Sequence, residues 1–366
     1  MIENTGQALP IKEKEEYLRT AVTQIDLEKA QSIQQLVKAY QGMSIQARAI
    51  GSVAAIFEKM LCDPERPTII LGLAGPLIAA GLRKVIRDMV WYGLVDCVVS
   101  TGAILYQDLY QASGFQHYRG DSDADDQALR SLLIDRIYDT YVDEEKFISL
   151  DREISLFADK LPVGEYSSRS FLLELAQKIS DSNSILFACL AKGVPVFSPA
   201  LNDSSIGIGL TDHYYRAKKE SRPAISINSI RDNYELTQIV VKSKSTAAVY
   251  VAGGVPKNFI NDSIVSAYIF GQNTGGHKYA VQMTADPAHW GGLSGSTLKE
   301  ATSWGKISAE ASTASSLVEP SVSLPLVIGF LLQGKVYHGR SRCKFLWNGD
   351  TLESLEHVSN LNSQKV

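Results

Sequence analysis

The sequence predicts an α/β chain with a mostly parallel sheet and helices on both faces. Three observations predict it. Short, β-rich apolar runs such as residues 68–73 (TIILGL) and 247–251 (AAVYV) each end in a small-residue turn. A helical pattern follows each turn, so strand, turn, helix and strand recur as βαβ units. The chain is also long enough, at 366 residues and 45% hydrophobic, to bury a large core.

The elements follow in order. Residues 12–60 read as helical, with apolar steps of three and four. One run is Leu18, Val22 and Ile25; a second is Ile33, Leu36, Val37 and Tyr40, with a break between them. A further helix covers about 45–61 and ends before Pro64 and Pro67. After strand 68–73 come a turn at Ala74-Gly75-Pro76, a helix over about 77–92 and strand 95–100 (VDCVVS). The pattern returns with 184–192, then 195–197 (PVF). Residues 224–227 read as an edge or inserted strand. Strands at 247–251 and 279–284 (YAVQMT) and helices at about 230–243 and 259–268 complete it. Residues 110–170, rich in Asp, Arg and Tyr, read as a helical insertion. The tail after Asp350 reads as polar and frayed. The expected organisation is thus a helical region over 1–62, a sheet domain over 63–350 and a polar tail over 351–366.

Composition narrows the function classes. Charged residues make up 21% and the net charge is −4, without the basic excess of a nucleic-acid binder. No stretch offers ~18 uncharged apolar residues for a membrane span, and 324–332 is too short. The N-terminus lacks the apolar core of a secretory signal. Cys62, Cys97, Cys189 and Cys343 form no CxxC pair, so no zinc site is expected, and the cysteines point to a reducing, cytoplasmic setting. Asp121, Asp123, Asp125 and Asp126 read as a solvated face rather than a metal site.

Ligands of open parallel sheets bind beyond the carboxyl ends of the strands. Five such ends carry small or polar loops: 74–76, 101–103, 198–203, 253–257 and 284–295. Their backbone N–H groups suit a pyrophosphate, so their convergence predicts a dinucleotide site in a Rossmann-like sheet. No GxGxxG follows the first strand, which disfavours an ordinary dehydrogenase. The last loop leads through Gly291-Gly292-Leu293-Ser294-Gly295 to Glu300-Ala301-Thr302-Ser303-Trp304-Gly305-Lys306. A lysine desolvated beside Trp304 and Gly305 would be a nucleophile able to form imines. Alternatively Lys306 is a structural cation paired with Glu300, or with Glu310 at helical i+4 spacing.

Ser303-Trp304-Gly305-Lys306 preceded by Glu300-Ala301, together with Phe197-Ser198-Pro199-Ala200-Leu201-Asn202-Asp203, resembles the deoxyhypusine synthase family. So do Val251-Ala252-Gly253-Gly254-Val255-Pro256-Lys257 and the region of Gly72, Leu77-Ile78 and Gly81-Leu82-Arg83. The resemblance runs from about residue 40 to 330. It implies aminobutyl transfer from a polyamine, with NAD as a recycled cofactor, in a homotetramer. On the matching positions it makes Lys306 the imine-forming nucleophile and Trp304 the wall of the amine channel. Glu300 becomes a carboxylate near the amine. Thr101, Asp203, Ala285, Ser294, Glu319 and Gly75 would line the NAD site, with Glu319 standing where the family has an aspartate.

Departures fall in the amine pocket. Ile208 and Leu293 stand where the family has aspartates, Asn258 where it has a histidine, Gln107 where it has a glutamate, and Pro76 where an asparagine contacts NAD. Asp212 and Asp286 are candidate replacements for the lost carboxylates. The resemblance therefore implies a deoxyhypusine synthase-like transferase, with either a protein lysine or a free amine as acceptor. Two readings stand beside it. One is a homospermidine-synthase-type enzyme joining free or guanidino amines; the other is a non-catalytic NAD-binding relative. Thr101 and Asp203 could also be plain helix caps.

Overall fold

The computed structural model describes residues 11–359. Six strands form one sheet: β1 (Thr68–Leu73), β2 (Cys97–Ser100), β3 (Val196–Phe197), β4 (Thr246–Val251), β5 (His277–Met283) and β6 (Ile307–Ser316). Every pairing is parallel, and the spatial order is β6-β5-β4-β1-β2-β3. This is the doubly wound order of the Rossmann sheet. β1 and β4 are neighbours, in register from Thr68 opposite Thr246 to Leu73 opposite Val251. The chain winds one way from β1 and the other way from β4, which opens a crevice between their carboxyl ends.

The two strands are buried on both sides because successive side chains serve opposite faces. Ile69, Leu71 and Leu73 join one core with Ala247, Val249 and Val251; Ile70, Ala248 and Tyr250 join the other. The first core is closed by α1 (Ile33–Tyr40), α2 (Ile45–Cys62) and α3 (Arg83–Trp91). Next in the chain come α4 (Gly102–Ala112), α5 (Glu144–Ala158), α6 (Ser168–Ala176), α7 (Ile185–Lys192) and α8 (Ser205–Lys219). The second core is closed by α9 (Ser229–Lys242), α10 (Gly254–Ile269) and α11 (Leu298–Ser303). α12 (Pro320–Gln333) returns to the first core through Leu324, Val327, Ile328 and Leu331.

Several expectations are corrected. Helix forms at Ile11–Tyr17, but residues 18–30 are irregular, with Leu18 and Val22 exposed. Their spacing is helical, yet no partner surface covers the apolar stripe. α3 starts at Arg83 rather than 77, because Gly81 takes a left-handed turn at φ +85°. α10 starts at Gly254, five residues before the expected 259. The insertion is mixed, since strands 118–119, 134–137 and 140–143 make a small antiparallel sheet. The start of the tail is ordered: β7 (Arg342–Asn348) and β8 (Thr351–Val358) form a hairpin, and Leu352 is fully buried. Residues 360–366 lie outside the described residues.

At the amino end of the sheet, buried Asp96 ties this last segment down. Both its oxygens lie 2.7 Å from Arg66 guanidinium nitrogens, and Arg340 reaches them at 2.6 and 3.2 Å. The two guanidinium groups hold the Asp96 carboxyl far below its ordinary range despite complete burial.

Candidate active site

The loops named from sequence converge at the switch point. Gly75 takes φ +86° at the end of β1, and Gly254 takes φ +62° beyond β4, where only glycine is unstrained. A Cβ on Gly254 would sit 3.9 Å from the Ala74 methyl, so the two loops face each other across the crevice. Gly102 abuts the Ser204 side chain, which joins the Thr101 loop to the Asp203 loop. Gly253 abuts Ser294, whose hydroxyl accepts the Gly254 N–H at 3.1 Å. The loop after β5 closes a cavity of about 280 Å³ with Gly254, Asp286, Trp290, Leu293 and Ser294 in its wall. A second cavity, about 200 Å³, lies between α6, α7 and the hairpin and is lined by none of the predicted site residues.

The capping alternative for Thr101 and Asp203 fails. Thr101 is the N-cap of α4, but its side chain makes no capping bond, and Ser204, not Asp203, caps α8. α10 also begins without a side-chain cap. The N-cap residues Thr101 and Gly253 thus give no capping bond to the helices entering from β2 and β4 beside the crevice, and the first N–H of α10, that of Gly254, is taken by Ser294. Glu319 does cap its helix, accepting from the Ser321 N–H at 2.8 Å. Ala285 and Asp286 are exposed in the loop after β5.

Lys306 sits one residue past Gly305, whose φ of +68° turns the chain from α11 into β6. Its side chain is 15% exposed, and its Nζ lies 2.9 Å from Asp262 Oδ1 and 3.4 Å from Asn258 Oδ1. Asn258 and Asp262 share one face of α10 at i, i+4 spacing, and the Asn258 amide donates to Asp262 Oδ2 at 2.8 Å. Neither rival ion-pair partner is used. Glu310 lies on strand β6, so helical spacing does not apply, and Glu300 forms a capping box with Thr297. The expected apolar setting is corrected as well. The Trp304 ring is 5.3 Å from Nζ but stands 68% exposed, and the groups touching Nζ are polar.

Other predicted residues fall apart from this centre. Gln107 is buried on α4, where its Oε1 accepts the Ala79 N–H at 3.2 Å and so braces the loop after β1. Ile208 on α8 and Leu293 are exposed. Asp212 is engaged by Ser155 and Arg216. Sequence reasoning missed Asp262, although a helix starting at Gly254 would have put it one turn from Asn258. It also gave no role to Lys257, which is fully buried. Lys257 Nζ donates to Gln282 Oε1 at 3.0 Å and to the Ser296 carbonyl. Burial pushes its pKa down to about 8, partly offset by the charge of Glu300. Gln282 in turn donates to the Ala252 and Ser294 carbonyls at 2.8 and 2.7 Å, which pins the loop after β5 against the end of β4.

The fold and the crevice define a doubly wound α/β protein with its candidate site at the topological switch point. The sequence profile of deoxyhypusine synthase matches residues 35–330, so the chain belongs to that family. Among curated relatives, a deoxyhypusine synthase-like protein of Chlorobaculum tepidum is 40% identical over 339 residues, covering 91% of this chain and 95% of that one. A protein described as probable deoxyhypusine synthase 2 of Methanosarcina mazei is 39% identical over 348 residues, covering 94% and 98%. Among solved structures, a chain described as a deoxyhypusine synthase from Entamoeba histolytica shares the fold. Its TM-score is 0.56 at 16% identity, covering 84% of this chain and 96% of that one.

Proposed function

We propose that the protein is an NAD-dependent aminoalkyl transferase acting on a polyamine or related amine through an imine on Lys306. The observation that carries this reading is the setting of Lys306. It is mostly buried, held by Asp262 and Asn258, and carried just past α11, the helix that follows in sequence the loop closing the switch-point cavity. The crevice suits a dinucleotide, because α4 and α10 enter it with no cap from their own N-cap residues and Gly75 and Gly254 leave their backbone open to close approach. Thr101, Asp203, Ala285, Ser294 and Gly75 would hold the nucleotide, with Glu319 toward its ribose. When bound, NAD would accept a hydride from the amine carbon and later return it.

The chain's own residues do the rest. Lys306 supplies the amine that captures the alkyl fragment. Asn258 and Asp262 orient that amine, and Trp304 gives the substrate's methylenes a flat apolar wall. Lys257 and Gln282 hold the overlying loop in place. Ile208, Leu293, Trp290 and Trp304 are exposed apolar side chains of the kind that a second subunit in a homotetramer would cover. The setting proposed is cytoplasmic; among the described residues no helix is long and apolar enough to cross a membrane.

The acceptor is either a protein lysine, as in deoxyhypusine formation, or a free amine, as in homospermidine formation. Hydrocarbon at Ile208 and Leu293 favours the free-amine reading, because a long tricationic donor would meet fewer carboxylates there. Borohydride added with NAD and a panel of spermidine, putrescine and agmatine should leave an alkyl mass on the Lys306 peptide. Lys306→Arg should abolish transfer and keep NAD binding. Undiminished turnover by that variant would refute the mechanism.

A further inference from the structure

Resting on that reading, we infer that Asp262 is the proton acceptor for Lys306 and that Asn258 is its positioning residue. An ammonium has no lone pair, so Lys306 must lose a proton before it can attack. Among the described residues the carboxylate in contact with its Nζ is Asp262, at 2.9 Å. The other contact, Asn258 Oδ1, is an amide oxygen and too weak a base to take that proton. The geometry is held from two sides. Asn258 Nδ2 donates to Asp262 Oδ2 at 2.8 Å, which leaves Oδ1 aimed at the lysine. The Asn258 oxygen faces the same ammonium, so the asparagine fixes both partners at once. Asp262 is 40% exposed while Lys306 is 15% exposed, so the carboxylate stands between the amine and solvent and can exchange its proton outward.

The step balances. Lys306 ammonium passes one proton to Asp262 carboxylate, giving a neutral amine and a carboxylic acid. The amine nitrogen forms a bond to the iminium carbon of the substrate, for which NAD, when bound, would be the two-electron oxidant. The proton now on the lysine nitrogen passes to the departing nitrogen, whose carbon–nitrogen bond breaks. A protonated imine remains on Lys306. The released amine takes the proton from Asp262 and leaves as an ammonium, so the carboxylate is restored and total charge is unchanged.

Positioned proton transfer is worth on the order of 10²–10⁴-fold, which sets the size of the test. Asp262→Asn keeps the shape and the bond to Asn258 but removes the base. It should cut single-turnover imine formation at neutral pH by about 100-fold or more, with borohydride trapping as the readout and NAD affinity unchanged. The deficit should shrink as pH rises and solvent takes over the proton. The double variant Asn258→His, Asp262→Asn places an imidazole one turn away and should regain part of the rate, with a new dependence near the histidine range. A deficit constant across pH, with no recovery in the double variant, would mean a merely structural ion pair and overturn the inference. So would an Asp262→Asn protein with full activity. Absence of any trapped adduct in the unmodified protein would instead refute the transferase reading itself, so the two failures are separable.

Discussion

Replacing Gly253 by alanine tests whether the crevice is built by close backbone approach. Gly253 has φ −177°, outside the left-handed region that favours glycine. Space is what alanine lacks there. Its Cβ would lie 2.5 Å from Ser294 Cα and 2.9 Å from Ser294 Cβ and Oγ. Carbon contacts are comfortable at about 3.5–4.0 Å, so the loop after β5 must retreat by about 1 Å. Ser294 is tied there by its bonds to Gly254 and Gln282, and these stretch with it. Overpacking of this kind costs about 1–3 kcal/mol. A chain of this length unfolds with an entropy near 0.77 kcal/mol/K, so the melting temperature should fall by about 1–4 °C. Misplacement of about 1 Å in a catalytic site can cost about 10²-fold, so Lys306 alkylation should fall much more steeply than stability. Gly292→Ala is the control, because an added methyl there meets nothing within 4 Å. The assay pairs thermal melting with single-turnover trapping. If Gly253→Ala matches Gly292→Ala in both, the loop does not depend on that approach and the reasoning is wrong.

Two further outcomes concern buried charge. Asp96→Ala leaves Arg66 and Arg340 buried without their shared carboxylate, and should destabilise by about 3–5 kcal/mol in urea titration. The loss should spare NAD affinity under conditions where the variant is folded, because Asp96 precedes β2 at the opposite end of the sheet. Lys257 gives a pH signature. Its pKa is about 8 when folded against an ordinary 10.5, so between those values the native state binds fewer protons than the unfolded one. Stability must therefore rise with pH across that window. Relative to Lys257→Met, the unmodified protein should gain stability from pH 8 to 10.5 in parallel denaturation curves, and parallel pH profiles would contradict the assignment.

Much of the sheet was legible because its strands are buried on both faces. Residues 68–73 and 247–251 are continuous apolar runs, and the structure makes them the paired centre of the sheet. β6 was missed for the opposite reason. Its sequence, ISAEASTASS, is small and polar because an edge strand is only partly covered, and nothing in its periodicity opposes a helix. That single miss sustained the idea of a Glu310 ion pair. The hairpin carried a signal that went unused, since Gly349-Asp350 is a tight-turn pair between two β-rich runs and Gly349 takes φ +61°. Leu18 and Val22 show the converse, a helical spacing that forms no helix without a surface to pack on.

The candidate site was legible in part, and the division follows chemistry. Lys306, Asn258 and the glycine loops belong to local motifs whose order along the chain survives in the sequence. Asp262 acts only through the turn of a helix, so its relation to Lys306 exists once α10 is known to start at Gly254 and run unbroken past it. Lys257 is more hidden still. In sequence it is a lysine after a proline, and lysines are mostly exposed. Its burial arises because Gln282 and the Ser296 carbonyl come from a neighbouring strand and its following loop. An amine that makes two such bonds yet has, among the described residues, no ion-pair partner in contact is held chiefly by geometry, with Glu300 adding only charge at a distance. That distinguishes it from Lys306, which has Asp262. The two lysines held at α10 therefore differ: under the proposed mechanism the one beside Asp262 suits bond formation, and the one locked between the Gln282 and Ser296 oxygens suits holding the loop.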